Sequence, residues 1–506
     1  MPMGYSRFHP SVGLCVLFWA GQVLAADSLP ELIETGQRDA ALGFLAAGGD
    51  VNQRSADGTT ALHWAAHQGD RALLELLLDR GADATLSNDY GATAISVAAV
   101  EGDEQIIEAL LDAGADVDSP NPEGQTVLMV VARTGQVETA RFLLARGADV
   151  NATEQWGGQS ALMWAAAQRQ PEMVRLLVEH GAEVDARGRI HDWQRRVTAE
   201  PRIKILHFGG FTPLLYAARE GCQGCIDALV EGGADINLSD RDGITPLVLA
   251  LLNRHFDAAA VLIEKGADVN QWDWWGRSPL FVAIDLDPVP SSRHGDLPSL
   301  DQHTGLDVAG MLLQRGANPN MRLKQQPPMR SDPGDRGFVD GSPDVLVINI
   351  GATALHTAAK ASNDAAIRLL LEYDAKVDIP NVFGITPILA AAGVGHWYGL
   401  FKDYAIRGRY KTAEQAVATM QILLAAGADI NDRTAELNFG TQRPQRSGLT
   451  AAHGAAFEGW DEVIRFLHDM GVDINARSDE GATPRDLAVV QEEHATVALL
   501  DELLIE

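Results

Sequence analysis

Residues 57–83 read DGTTALHWAAHQGDRALLELLLDRGAD, and the same arrangement returns along the whole chain. Thr60 stands where a helix needs an N-cap. Pro213, Pro246, Pro279, Pro387 and Pro484 directly follow the equivalent Thr or Ser elsewhere, at the first helical position, where a missing N–H costs nothing. A short Ala-rich helix therefore starts there, as in TALHWAA from Thr60 to Ala66 and TALHTAA from Thr353 to Ala359. A second helix follows with apolar residues at helical spacing: Leu73, Leu74, Leu76, Leu77 and Leu78 in one copy, Val174, Leu176, Leu177 and Val178 in another. It stops at a Gly suited to a left-handed C-cap, such as Gly81, Gly114, Gly147 or Gly181. A polar turn with a second Gly (Gly58, Gly91, Gly124, Gly243) then leads to the next Thr.

Eleven such openings occur, at Thr60, Thr93, Thr126, Ser160, Thr212, Thr245, Ser278, Thr353, Thr386, Thr450 and Thr483, and seven of the ten gaps are 33 or 34 residues. A fixed period of this length marks stacked supersecondary units rather than one globular core. The units resemble the ankyrin repeat family, whose pattern runs Asp-Gly-x-Thr-Pro-Leu-His-x-Ala-Ala and then Leu-Leu-x-x-Gly-Ala-Asp-Val-Asn. The resemblance implies an all-α solenoid of about eleven or twelve helix-turn-helix units with hairpin fingers along one edge. It also implies a structural hydrogen-bonding role for His63, His356 and His453. The other repeats place Ser96, Met129, Met163, Leu215, Val248, Phe281, Leu389 and Asp486 there, which leaves that network incomplete.

Residues 1–26 carry Arg7, an apolar stretch from Val12 to Ala20, and small residues before Asp27. Together they read as a cleavable secretory signal, cut near Ala25 or Ala26, which implies a periplasmic or secreted protein. The apolar stretch is too short to span a bilayer, so no membrane insertion is expected of the mature chain. Residues 27–56 read as a degenerate N-terminal capping repeat, 57–320 as repeats with an insertion at about 186–208, and 321–350 as an irregular Pro-rich insertion. Residues 351–506 read as further repeats with an insertion at about 394–415 and a C-terminal cap whose outward residues are acidic.

Net charge is −29, and removing Arg7 with the signal gives −30. Such a field repels phosphate backbones and anionic lipid, so nucleic acid is excluded as a partner. Cys222 and Cys225 are the cysteines beyond the signal. Ile226 follows where a haem motif has His, and no second CxxC completes a zinc site. The spacing leaves a local disulfide or a buried thiol beside an exposed one.

The period is broken in three places. The gap from Ser160 to Thr212 is 52, from Ser278 to Thr353 is 75, and from Thr386 to Thr450 is 64. Distances to the helix-ending Gly assign the extra residues. Some lie in fingers, and others, after Ser278 and Thr386, lie between the two helices of a repeat, on the opposite edge. The first insertion is basic (Arg187, Arg189, Arg195, Arg196, Arg202 and Lys204 against Asp192 and Glu200), able to grip an acidic partner or to fold back on the chain's own carboxylates. Residues 394–411 are aromatic and basic and are expected to extend a helix pair into an amphipathic flap. Their Gly393, Gly395 and Gly399 miss dinucleotide spacing and follow no strand.

Just before the turn glycines stand Tyr90, Trp156, Trp274 with Trp275, and Phe383, and Trp272 lies further back in its finger. These residue types are enriched in binding hot spots, although stacking between neighbouring tips would also account for them. With Arg189, Arg195 and Arg196 they form the candidate binding set. HExxH, Walker and GxSxG signatures are absent, and no cofactor is called for. A weaker alternative gathers His191, His207, His294 and His303 with Asp285, Asp287 or Asp296 on a metal, or builds an enzyme site from the insertions. The reading favoured by the sequence is a non-catalytic protein-interaction scaffold, binding through finger tips, the inner-helix groove and insertions.

Overall fold

Several repeats open on a hydroxyl that closes the first helical turn. Thr93 Oγ1 accepts the Ser96 N–H at 3.3 Å, and Thr212 and Thr245 do the same for Leu215 and Val248, both at 3.2 Å. At the other end the chain reverses through glycines such as Gly81, whose φ of 85° is left-handed backbone that favours Gly. A computed structural model describes residues 28–196, 205–286, 301–324, 350–395, 411–435 and 447–505, with the side chains of 191–208 excepted. The signal segment, most of the Pro-rich insertion and the aromatic flap at 396–410 lie outside the described residues.

Among the described residues are 24 helices in consecutive pairs, from Leu29–Glu34 with Arg38–Ala46 to Pro484–Val490 with His494–Leu503. The chain divides into two compact units, 1–116 and 117–506. Each is a stack of helix pairs with a continuous apolar interior. In the first, Leu73, Leu74 and Leu77 are buried, as are Ile106, Ile107 and Leu110 of the next outer helix. In the second, Met173, Val174 and Leu177 play that part, followed by Cys225, Ile226 and Leu229. Burying one such large apolar side chain contributes about 1.5–3 kcal/mol, and no single pair can bury its face alone, so stability is shared between neighbours.

A polar ladder fixes the register between fingers. Asn52 accepts the Asp83 N–H at 2.8 Å in the first unit. In the second, Asn151 accepts from Glu183, Asn237 from Asp268, Asn270 from Asn318 and Asn320 from Lys376, all at 2.8 Å. The last two bonds span 48 and 56 residues, against 31 for Asn237 to Asp268. The ladder therefore continues across both insertions. Arginines staple the same edge: Arg187 donates to the Ser239 carbonyl at 2.7 Å and Arg322 to that of Pro380 at 2.7 Å.

The basic insertion forms an antiparallel ribbon, β1 (Ile190–Arg196) and β2 (Ile205–Gly209), with an irregular register between His191 and Arg195. It is an elaboration of one finger on an otherwise helical fold. The helix after the aromatic insertion, Ala413–Ala425, runs 13 residues where its counterparts Asp364–Glu372 and Asp461–Asp469 run 9, while the helix before it, Pro387–Ala391, runs only 5. At the C-terminus, Asp501 pairs with Arg485 at 2.5 Å and faces solvent with Glu502, while Val490 and Ile505 are exposed beside them. No described helix is long and apolar enough to cross a membrane.

Candidate functional site

The finger tips divide the aromatic residues into two classes. Tyr90 in the first unit is 68% exposed, and in the second Trp156, Trp272 and Trp274 are 68%, 42% and 61% exposed. Trp275 and Phe383 are 2% and 9% exposed, so these two belong to the interior and leave the candidate binding set. The cause lies in the turns. Asp273, fully buried, accepts the N–H groups of Trp275 and Arg277 at 3.0 and 2.9 Å and the Arg277 guanidinium at 2.6 Å. That knot turns Trp275 inward, beneath Arg277 at 5.1 Å, and leaves Trp274 outside. Asn381 does the same for the Phe383 turn, accepting from Phe383 and Ile385 at 2.8 and 3.0 Å. Trp272 is covered on one face by the Lys324 ammonium, 3.0 Å from its ring centroid.

Arg189 is tied to the preceding finger: its N–H donates to the Gly157 carbonyl at 2.5 Å and its guanidinium to the carbonyl of Gln155. With Arg187 on Ser239, the base of the ribbon folds back on the chain, onto backbone carbonyls rather than carboxylates. The side chains of Arg195 and Arg196 lie outside the described residues.

A second surface was not singled out from the sequence. On the inner helices of the second unit the Arg133 guanidinium lies 5.8 Å from the Trp164 ring, and Arg219 lies 5.0 Å from Tyr216 and 5.9 Å from Phe211. The Tyr216 hydroxyl accepts from Gln159 at 2.6 Å, and burial raises its pKa. Trp164 and Tyr216 are both half-buried. The available signal was positional: each stands four residues after its opening Ser160 or Thr212, as Trp64 stands after Thr60.

The three expected histidines are structural. The N–H groups of Thr60, Thr353 and Thr450 donate to Nδ1 of His63, His356 and His453. Each Nε2 therefore carries the proton and donates to a carbonyl 29 residues on, at Ala92, Ile385 and Ala482, over 2.9, 2.9 and 3.0 Å. Burial lowers all three pKa values, that of His356 to about 4, so the imidazoles stay neutral at physiological pH.

Cys222 and Cys225 are joined as a disulfide, and both are buried. Cys225 lies in the helix Gln223–Glu231 and Cys222 at its N-cap. His303 gives its Nδ1 to Asp257 at 2.7 Å, and Asp257 also accepts the N–H groups of Gln302 and His303 at 3.0 Å, bonds that hold its own pKa below the usual value against burial. Asp301 in turn accepts the Phe256 N–H at 2.7 Å. The insertion's return is thus pinned to the outer helix Phe256–Glu264. No group of three metal-ligating residues forms among the described residues. His294, Asp287 and Asp296, and the side chains of His191 and His207, lie outside them.

A family model described as ankyrin repeats (3 copies) matches residues 32–121, 101–188 and 214–291, and one described as ankyrin repeat matches 350–382. Among curated proteins, the chain is 28% identical over 149 residues to the transient receptor potential cation channel subfamily A member 1 homolog of Caenorhabditis elegans, a match covering 29% of the chain and 10% of that protein. It is 25% identical over 344 residues to the E3 ubiquitin-protein ligase KEG of Arabidopsis thaliana, covering 63% of the chain and 17% of that protein. The chain thus spans less than a fifth of the length of these relatives. Among solved structures, the human ASB11 ankyrin repeat domain aligns with 47% of the chain and 98% of its own, at 24% identity and a TM-score of 0.38.

Proposed function

We propose that this chain, which belongs to the ankyrin repeat family, is a non-catalytic scaffold that binds a protein partner through its finger tips and inner-helix face, and that it is exported to the periplasm or cell exterior. The observation that carries the binding surface is the set of large aromatic side chains held open to solvent, Trp156, Trp272 and Trp274 in one unit and Tyr90 in the other. Exposed Trp and Tyr on rigid turns offer much contact area at little conformational cost, which is the character of a binding hot spot. Trp164 and Tyr216, each with an arginine against its ring, extend the same chemistry onto the helices behind the fingers. Export is supported by the pattern of residues 1–26.

Affinity capture from the exported fraction tests this reading. Replacing Trp156, Trp272 and Trp274 together by Ala is expected to reduce partner recovery at least about thirtyfold, since truncating one hot-spot residue costs about 2 kcal/mol or more. Circular dichroism should stay unchanged, because all three side chains lie outside the core. Equal recovery from wild type and variant would remove the finger tips from the account.

A further inference from the structure

The disulfide Cys222–Cys225 joins two residues of one helical turn and links no two repeats. It closes one of the shortest loops a disulfide can close, where the stabilisation from chain entropy is smallest. The turn itself is held by backbone bonds, the Cys222 N–H on the Ala217 carbonyl at 2.9 Å and the Ile226 N–H on the Cys222 carbonyl at 3.0 Å. Other repeats close the same turn without sulfur: the N–H groups of Asp70, His255 and Asn363 donate to the carbonyls of Ala65, Ala250 and Ala358 at 3.0, 3.0 and 2.9 Å. The architecture is therefore complete before the S–S bond forms.

The equivalent positions of other outer helices show what this one asks of its two residues. The N-cap is an acceptor site. Asp70 accepts the Leu73 N–H at 3.0 Å, Asp103 that of Ile106 at 3.1 Å and Asn363 that of Ala366 at 3.1 Å. Cys222 Sγ accepts the Cys225 N–H at 3.2 Å in the same register. A sulfur within a disulfide is a weak, neutral acceptor, whereas a thiolate there sets a full charge against the positive end of the helix Gln223–Glu231, as the two aspartates do on their own helices. Three residues on, the position is buried, and Leu73, Ile106, Met173, Ala258 and Val463 hold it elsewhere. A neutral thiol at Cys225, 0% exposed, suits that place, since a free cysteine packs as a small hydrophobe. Both sulfurs thus fit the repeat better reduced than joined.

We propose that Cys222 and Cys225 are a redox-exchange pair whose reduced form the fold stabilises, with a small dithiol as co-reactant. Cys222 is 5% exposed against 0% for Cys225, so the incoming thiolate attacks Cys222 Sγ. A sulfur so recessed admits a small reagent rather than a folded protein. The Cys222–Cys225 bond breaks, and the Cys225 sulfur leaves with the bonding pair and takes a proton. The second thiolate of the reagent then attacks the reagent's own sulfur in the mixed disulfide, closing a cyclic disulfide and releasing Cys222 as a thiolate under the Cys225 N–H. Two electrons pass to the protein, one proton stays on Cys225 and the other goes to solvent. This chemistry is independent of what the finger tips bind.

The full chain is equilibrated at neutral pH with mixtures of reduced and oxidised dithiothreitol, once folded and once unfolded in urea, and then trapped with iodoacetamide. Mass spectrometry of the peptide that carries both cysteines gives the reduced fraction. The folded chain is expected to reach half reduction at a reduced-to-oxidised ratio at least about tenfold lower than the unfolded chain. An equal or higher ratio in the folded chain would overturn the proposal. Thermal unfolding gives a second readout, in variants that keep the fold because Ala fills the same buried position at Ala258 and Ala366. Cys222→Asp with Cys225→Ala should melt above Cys222→Ala with Cys225→Ala. A Tm no higher would show that this N-cap does not hold a negative charge, and the proposal would fail on that result as well. Reduced thioredoxin, supplied at the same thiol concentration as dithiothreitol, tests the size of the co-reactant: faster reduction by thioredoxin would overturn the choice of a small dithiol.

Discussion

Asp273→Ala is expected to destabilise the unit 117–506 by about 3–5 kcal/mol, the cost of breaking a buried pair by removing one partner. The carboxylate is fully buried and collects two backbone N–H groups and one guanidinium. Without it, three donors lose their acceptor and Arg277, 12% exposed in its side chain, becomes an uncompensated charge. The damage should spread to the neighbouring finger, because the Trp274 N–H of the same turn donates to the Asp242 carbonyl at 2.8 Å. Urea unfolding followed by tryptophan fluorescence measures both effects, since Trp272, Trp274 and Trp275 flank the site. Asp273→Asn keeps an acceptor for the backbone and should cost clearly less. If Asp273→Ala unfolded at the wild-type midpoint, the turn would not depend on this knot.

Gly454→Ala is the second large effect, and its sign separates packing from helix propensity. Gly in a helix interior is ordinarily less favourable than Ala by about 1 kcal/mol, so the substitution ought to stabilise on propensity alone. Here the added carbon meets backbone atoms of residues 392 and 394 at 2.6 and 2.7 Å. Overpacking of that kind costs about 1–3 kcal/mol, and backbone cannot swing aside as a side chain can. A lower Tm is therefore expected. Gly310, inside the helix Gly305–Gln314, supplies the control, because a Cβ there meets nothing within 4 Å. Gly310→Ala should raise Tm, by propensity alone. Stabilisation by both substitutions would show that residues 392–394 do not rest on Gly454.

The repeat architecture was legible because its signals are local. N-cap hydroxyls, prolines at the first helical position and glycines at helix ends each depend on a few neighbouring residues, and they recur in register. The edges of the insertions were legible for the same reason, since a fixed distance from Thr to Gly reveals where residues have been added. The sites were less legible. Trp274 and Trp275 are adjacent and identical in type, yet one is exposed and the other buried, and the difference is made by Asp273 folding the turn between them. No periodicity encodes that choice. The Arg133–Trp164 contact joins different repeats and Arg219–Phe211 reaches across the start of a helix, so these appear only in the folded chain, whereas Arg219–Tyr216 is a three-residue pair on one helix.

On the proposed reading, the partner lies on the finger tips and inner-helix face. Hydrogen–deuterium exchange of the full chain, with and without the captured partner, tests it most directly. Protection is expected at the turns 154–159 and 271–277 and along the inner helices Ala161–Ala167 and Pro213–Glu220, with the outer helices Pro171–Glu179 and Phe256–Glu264 unchanged. Protection confined to those outer helices would contradict the claim.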